Sequence, residues 1–463
     1  MAPWSGKTLQ ATSPMKYFEF VTEPDDTLVY VEKYQDAIEP VSGQPGSAQN
    51  GRFLIWRDNA RGDVSSPLTV FYTVGGTAQN GSDYQTLTSP ATIQAGYWYV
   101  EIEVVPYADG SEFDENVTLT LQPPPPTYAT YFIKRDQGTA TVMIYDPQPP
   151  FTVVVERPRG PIGIDYHPVE QALLISDHFW DFGYPWNFTK IEKVGGTVEC
   201  TPWSSVAGLW DEIKLTIVKT SAANFVLGDM FFGYKPANGS TRIGRIYRRT
   251  APPYDVVAEM NWAVLNGETS PVHGGLYVDQ TGLFNRDLIV VTGGEDFEGG
   301  RVWRITSNAD HSSGTKTVFV EIPNTHLEGV ITLPDDQQKY GPWAGMIITG
   351  AERHDPPLIY TIDTDGNVVQ FAEGIAPEDF DIIPAGQNLY CNDGNAGKIY
   401  KVPAAYFAEY VGDLLITQAG EVRDFPAALF IFHWDGNRFV RKTVLPPEGV
   451  KFEHVAFAPI DLE

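Results

Sequence analysis

The sequence predicts an all-β protein in two parts, an antiparallel β-sandwich followed by a β-propeller of about six blades. Three observations carry this reading. Residues 27–146 are a succession of short segments with β-branched or aromatic residues at period two, separated by turn residues. Beyond Pro150 a weak internal repeat recurs roughly every fifty residues, the span of a four-stranded blade. The chain carries 43 Gly and 36 Pro, which leave few stretches long enough for apolar residues to repeat at helical spacing.

Residues 1–26 read as an N-terminal arm. The sandwich is assigned to 27–147, with strands at Leu28–Glu32, Gly51–Arg57, Leu68–Val74, Tyr97–Val105, Val117–Gln122 and Gly138–Tyr145. Asp146-Pro-Gln-Pro-Pro150 falls at a stiff Pro-rich linker, 148–152, because adjacent prolines extend the chain and stop strand pairing. The propeller takes 153–463.

Its first repeated element is Ile162-Gly-Ile-Asp-Tyr-His-Pro168, Gly274-Gly-Leu-Tyr-Val-Asp-Gln280, Glu328-Gly-Val-Ile-Thr-Leu-Pro334, Glu378-Asp-Phe-Asp-Ile-Ile-Pro384 and Glu453-His-Val-Ala-Phe-Ala-Pro459. Ala207-Gly-Leu-Trp210 reads as a degenerate copy. A second element follows at Leu173–Asp177, Leu288–Thr292, Met346–Thr349, Leu389–Asp393 and Leu414–Thr417. A third is Arg301–Ile305, Leu358–Asp363, Lys398–Val402 and Leu429–His433. A blade buries its faces only against neighbours, so the ring must close, and Glu453–Pro459 is the strand expected to close it. Two stacked sandwiches are the alternative arrangement.

The formal charge is −27, from 59 acidic and 32 basic residues. Such a surface disfavours nucleic acid and anionic lipid, and it suits divalent cations, solubility or salty surroundings. The two cysteines, Cys200 and Cys391, have no metal-type spacing and read as free thiols. No apolar run approaches the ~18 residues of a membrane span. The polar stretch Met1–Met15 does not have the pattern of a signal peptide, so the expectation is either that a leader is missing from this sequence or that the protein leaves its cell by another route, such as release in a virus particle or a secretion assembly. Arg61-Gly-Asp63 reads as a plain turn between strands.

Residues 27–147 resemble the Calx-beta family. The residues that carry the likeness are Asp36-Ala-Ile-Glu39, Gly51–Arg57, Pro67–Val74, Gly76-Thr-Ala-Gln-Asn-Gly-Ser-Asp-Tyr84, Ala91–Gly96, Glu112-Phe-Asp-Glu-Asn-Val-Thr-Leu-Thr-Leu121 and Ala140–Asp146. The resemblance implies an immunoglobulin-like sandwich with a Ca²⁺ site at one end. Glu39, Asp83, Glu112, Glu115 and Asp146 fall on acidic positions of the family pattern, with Asp109 beside one. Ca²⁺ takes six to eight oxygen ligands, and this many converging carboxylates would repel one another without a cation. The pattern departs from calcium-rich members at Pro106–Gly110 and after Asp146, where Pro147 and Gln148 stand. At most one or two ions, weakly held, are expected.

If the first repeated element lines the channel, its opening residues form a ring: Ile162, Gly274, Glu328, Glu378 and Glu453, with His273, His326, Asp379 and His454 beside them. Carboxylates and histidines from successive blades suit a hard divalent cation or a general base. A wet, acidic channel mouth without a ligand is the plainer explanation. The second part resembles six-bladed propellers of the gluconolactonase and NHL kind in blade grammar alone. That resemblance implies a metal held by a Glu with Asn and Asp residues, of which only the Glu part is matched. No Gly-x-Ser-x-Gly, His-Glu-x-x-His or phosphate loop is present. Trp180, Tyr184, Trp186 and Trp343, in Gly/Pro-rich loops, are candidate sugar platforms or loop packing.

The sequence thus points to a non-catalytic surface protein. The sandwich would be a calcium-associated spacer, and the propeller a recognition surface for a protein or glycan in adhesion or in a virion or surface assembly attached through the N-terminal arm. A metal-dependent propeller hydrolase or lactonase is the alternative.

Overall fold

The computed structural model describes residues 27–41, 45–58, 64–109, 113–156, 160–177, 185–210, 212–222, 224–237, 239–253, 255–269, 272–293 and 299–463. Packing divides the chain into two compact units that part between Tyr145 and Asp146, with Phe113 and Asp114 counted in the second. The N-terminal arm and Arg61–Asp63 lie outside the described residues.

The first unit is a sandwich of two sheets. One has the strand order Tyr99–Val104, Gly51–Asp58, Leu28–Gln35, Phe132–Ile133; the other runs Ala37–Ile38, Thr139–Tyr145, Glu115–Gln122, Leu68–Gly76, Ala91–Ile93. Period-two patterning explains which side faces in. Val29 and Val31, Phe53 and Ile55, Val117 and Leu119, and Val142 and Ile144 alternate with more exposed neighbours and meet in one core. The first strand pairs Leu28 with Asp58, and its register breaks between Lys33 and Gln35. The chain then crosses to the other sheet, where Ala37 pairs in parallel with Ile144. That crossing places Glu39 at the end of the second sheet.

The second unit contains six four-stranded antiparallel sheets among its described residues, and they are propeller blades. From the innermost strand outward, blade 1 is Ile164–His167, Ala172–Ser176, Phe188–Val194, Thr197–Pro202. Blade 2 is Leu215–Ile217, Met230–Tyr234, Arg242–Arg248, Val256–Val264, and blade 3 is Gly275–Val278, Leu288–Thr292, Gly299–Ser307, Gly314–Pro323. Blade 4 is Glu328–Thr332, Ile347–Ala351, Leu358–Ile362, Val368–Phe371. The second strands of blades 1 to 5 are buried at every position, whereas the outermost strand of blade 4 is largely exposed. Apolar runs in the middle and mixed residues at the rim follow from this layering.

The last two blades depart from sequence order. Blade 5 is Phe380–Ile382, Leu414–Gln418, Ala428–Trp434, Phe439–Val444, and blade 6 is Val455–Ala458, Asn388–Asp393, Lys398–Val402, Thr152–Glu156. Phe380 pairs with Ile416, while Leu389 pairs with Phe457. The hairpin Asn388–Val402 therefore leaves blade 5 after one strand and builds the middle of blade 6. Blade 6 also takes its outermost strand from the start of the unit and its innermost from the end. This joins both ends of the propeller in one sheet, as ring closure requires.

Helix is scarce; among the described residues, α-helix is confined to Gln337–Tyr340. No helix among them is long and apolar enough to cross a membrane. Neither cysteine is in a disulfide among the described residues, and Cys391 is buried while Cys200 is half-buried.

Candidate functional site

The six inner strands run the same way, so the residues opening them meet at one end of the channel. Glu328 opens blade 4, Glu378 and Asp379 precede Phe380, and Glu453 and His454 precede Val455. Glu212 and Lys214 precede blade 2, and His273 precedes blade 3. Glu352 and Arg353 reach the same end because they follow the antiparallel second strand of blade 4.

The backbone here is built for close approach. The register of blade 4 slips between Glu328 and Val330, a bulge centred on Gly329, whose φ is +52°. A Cβ on Gly329 would lie 2.5 Å from the Glu378 carbonyl oxygen, so glycine permits both the left-handed turn and the contact between blades 4 and 5. Thr417 links blades 5 and 6: its carbonyl accepts from the Glu378 amide at 2.9 Å and its hydroxyl donates to the Glu453 carbonyl at 2.9 Å.

On this frame the side chains form a charged cluster. Lys214 Nζ lies 2.5 Å from Glu212 Oε1 and 3.2 Å from Glu378 Oε1, and it also touches His454 Nε2. His454 Nδ1 lies 3.1 Å from Asp379 Oδ2. His326 Nε2 is 2.7 Å from Glu328 Oε1, and His273 Nδ1 is 3.7 Å from Glu212 Oε2. Arg353 Nε donates to Glu352 at 3.1 Å. Two triads each bring ligand atoms within 4.8 Å of one another: Glu328, Glu352 and Glu378, all buried, and Glu212, Glu453 and His454. Glu328 Oε2 is buried with no hydrogen-bond partner among the described residues.

Burial drives the acidities apart. It raises Glu328 well above the ordinary carboxylate range, reinforced by Glu378. It lifts Glu378 to about 8 against the pull of Lys214, and Glu453 to about 7 with help from Glu212. Glu352 is raised for the same reason. Glu212 goes the other way: burial opposes ionisation, but Lys214, His454 and His273 together hold it far below the usual range. His326 is lowered to about 3 by burial and His273, and so is neutral. His454 is raised to about 9 because Asp379 and Glu212 outweigh burial and Lys214. Neighbouring groups with acidities pushed in opposite directions are what proton transfer and cation capture both require.

All seven residues expected at the propeller mouth, Glu328, Glu378, Asp379, Glu453, His454, His273 and His326, sit in or against this cluster. Sequence reasoning missed Lys214, Glu212, Glu352 and Arg353. The degenerate blade opening was placed at Ala207–Trp210, whereas the inner strand of blade 2 is Leu215–Ile217. A strand beginning after Glu212-Ile-Lys214 would have revealed two of the four.

In the sandwich the structure brings together Glu39, Asp109 and Glu115, whose ligand atoms lie within 4.8 Å of one another. Asp83 does not join that trio, because its carboxylate accepts from the Gln79 amide at 2.5 Å and closes its own turn. Asp146 is counted with the second unit, where its carboxylate lies 3.2 Å from Lys442 Nζ. Glu112 lies outside the described residues, as do Trp180 and Tyr184. Trp343 is no sugar platform: it is fully buried against Phe439, with ring centroids 4.0 Å apart. Trp186 is half-buried and donates to Thr189.

Neither a protein-family model nor a curated protein matches the chain. Among solved structures, an apo-form Calx CBD1 domain is similar at 20% identity, with 25% of this chain and 97% of that one covered and a TM-score of 0.19. A gluconolactonase from Xanthomonas campestris is similar at 11% identity over 55% of this chain and 89% of its own, with a TM-score of 0.29. An endo-arabinase from Bacteroides thetaiotaomicron is similar at 10% identity over 65% and 98%, with a TM-score of 0.33. These are likenesses of fold at low identity, and no function of this chain follows from them.

Proposed function

We propose that the propeller mouth is a divalent-cation centre serving hydrolysis of a lactone or related ester. The observation that carries this reading is the convergence of Glu328, Glu352 and Glu378, all buried, with Glu328 Oε2 left without a hydrogen bond. A buried, unsatisfied carboxyl oxygen is costly, and a cation removes the cost for all three groups at once. The donor set fits: three carboxyl oxygens suit a hard cation such as Mn²⁺, Mg²⁺ or Ca²⁺, and His326 orients Glu328 from behind. When bound, the cation would polarise the substrate carbonyl and its attacking water.

The remaining steps belong to this chain's own groups. Glu453, with its acidity near 7, takes the proton from the attacking water and returns it to the leaving alkoxide, so hydrolysis adds one water across the C–O bond. Asp379 holds the His454 ring through Nδ1. Lys214 fixes the Glu212 and Glu378 carboxylates. Turnover of γ- and δ-lactones and aryl esters, with Mn²⁺, Mg²⁺ or Ca²⁺ and after chelation, tests the proposal. Cation-dependent turnover that falls at least 100-fold in Glu328→Gln supports it; turnover absent with every cation, or unchanged in the variant, overturns it.

The second reading is a non-catalytic extracellular or virion-surface binding protein that recognises a protein or glycan and is anchored in a larger assembly through residues 1–26. Its support is the Glu39, Asp109 and Glu115 cluster, which suits a Ca²⁺-stiffened spacer. Glycan-array binding without any lactone or ester turnover would favour it.

A further inference from the structure

The two triads at the propeller mouth are not independent, and one side chain stands between them. Lys214 is 2% exposed, and its ammonium contacts Glu378 of one triad at 3.2 Å and Glu212 of the other at 2.5 Å, as well as His454. We propose that Lys214 is a built-in cation occupying the second half of a two-cation basin, and that it thereby fixes the centre at one metal ion per chain. The inference rests on the cation reading above.

Ligand chemistry supports this assignment. Glu212, Glu453 and His454 offer two carboxyl oxygens and an imidazole nitrogen within 4.8 Å of one another, a donor set suited to Mn²⁺ or Zn²⁺. An ammonium is a compact point charge with three donors, and here its neighbours are Glu212, Glu378 and His454. A metal ion there would need Glu212 and His454 as ligands, two of the groups that Lys214 already engages. The two occupants exclude each other by charge and by volume. Glu378 is the shared group: it belongs to the Glu328 triad and pairs with Lys214, the position from which a carboxylate would bridge two ions.

The consequence is a change in stoichiometry that activity alone would not reveal. Protein with wild-type Lys214 is dialysed against Mn²⁺ and its metal content per chain is measured, alongside Lys214→Met and Lys214→Arg. All three are in a Glu39→Gln/Glu115→Gln background so that the sandwich trio does not add to the count. One ion in the wild type, two in Lys214→Met and one in Lys214→Arg is the expected pattern, and the second ion should couple magnetically to the first in the Mn²⁺ electron paramagnetic resonance spectrum. One ion in Lys214→Met, or two in Lys214→Arg, overturns the proposal. If Lys214→Met does not fold without metal, refolding it in Mn²⁺ should recover two ions per chain, and the Lys214→Arg result stands on its own. No ion in the wild type but one in Lys214→Met would refute the one-metal centre while upholding Lys214 as the stand-in cation. No ion in any of the three refutes both.

Discussion

The sandwich and the propeller each gather acidic side chains, but the two clusters are held in different ways. In the sandwich the trio ranges from buried Glu39 through half-buried Glu115 to exposed Asp109, so water shares the work of solvating its charge. At the propeller mouth Glu328, Glu352 and Glu378 are all buried, and the protein supplies Lys214, Arg353 and His454 as counter-charges. The contrast teaches that acidic residues alone do not define a cation site. Burial and unmet hydrogen bonding decide how strongly the carboxylates demand a partner. On this account the propeller holds its ion tightly and the sandwich holds Ca²⁺ weakly.

The comparison can be strained first through packing. Trp343, buried among Phe371, Phe432 and Phe439, joins the faces of blades 4 and 5 on which Glu328, Glu352 and Glu378 are mounted. Trp343→Ala should cost about 3–5 kcal/mol in chemical denaturation and weaken cation binding at the propeller mouth. The Ca²⁺ response of the sandwich should not change.

A second test uses acid. His167 in blade 1 is held to about 4, mainly by burial, while its Nδ1 accepts from the Glu170 amide. Its ordinary value is 6.5, so between about 6.5 and 4 the unfolded chain binds more protons than the folded one. The His167 contribution to propeller stability is therefore full above about 6.5 and falls by about 3 kcal/mol as pH drops through that window, while the raised carboxyls at the propeller mouth act in the opposite sense. His167→Gln should remove this contribution, so the gap in denaturation midpoint between wild type and variant should change by that amount between pH 6.5 and 4, and a gap that does not change with pH would contradict it.

The smallest effect belongs to the sandwich. Ca²⁺ a few-fold above its dissociation constant should stabilise this unit by about 1 kcal/mol, and Glu39→Gln or Glu115→Gln should abolish the gain in thermal melting. An equal shift in those variants would separate the calcium response from the trio.

Much of this architecture was legible in the sequence. Period-two patterning located the sandwich strands because one face of each is buried against the facing sheet. Glu328, Glu378 and Glu453 were legible as a ring because each opens the same repeated strand. Glu352 was not, since it comes from the end of a second strand, which only pairing brings to the same place. Nor was the exchange between blades 5 and 6. Leu389–Asp393 follows Glu378–Pro384 in sequence, yet the pairing of Phe380 with Ile416 excludes it from blade 5. A repeat period gives the number of strands but not the sheet that a hairpin joins. The fates of Asp83 and Asp146 were likewise hidden, because their partners, the Gln79 amide and Lys442, are set by a turn and by distant packing.

The central claim is that the propeller mouth holds a cation through Glu328, Glu352 and Glu378. Calorimetric titration of chelator-treated protein with Mn²⁺, run in two buffers of different ionisation enthalpy at pH 7, tests it directly. The raised acidities of Glu378, at about 8, and of Glu328 mean that these groups carry protons before the ion arrives. The account predicts a tight site that releases protons on binding, tightens as pH rises toward 8, and is lost in the Glu328→Gln/Glu378→Gln variant. Binding without proton release, or the same affinity in that variant, would contradict it.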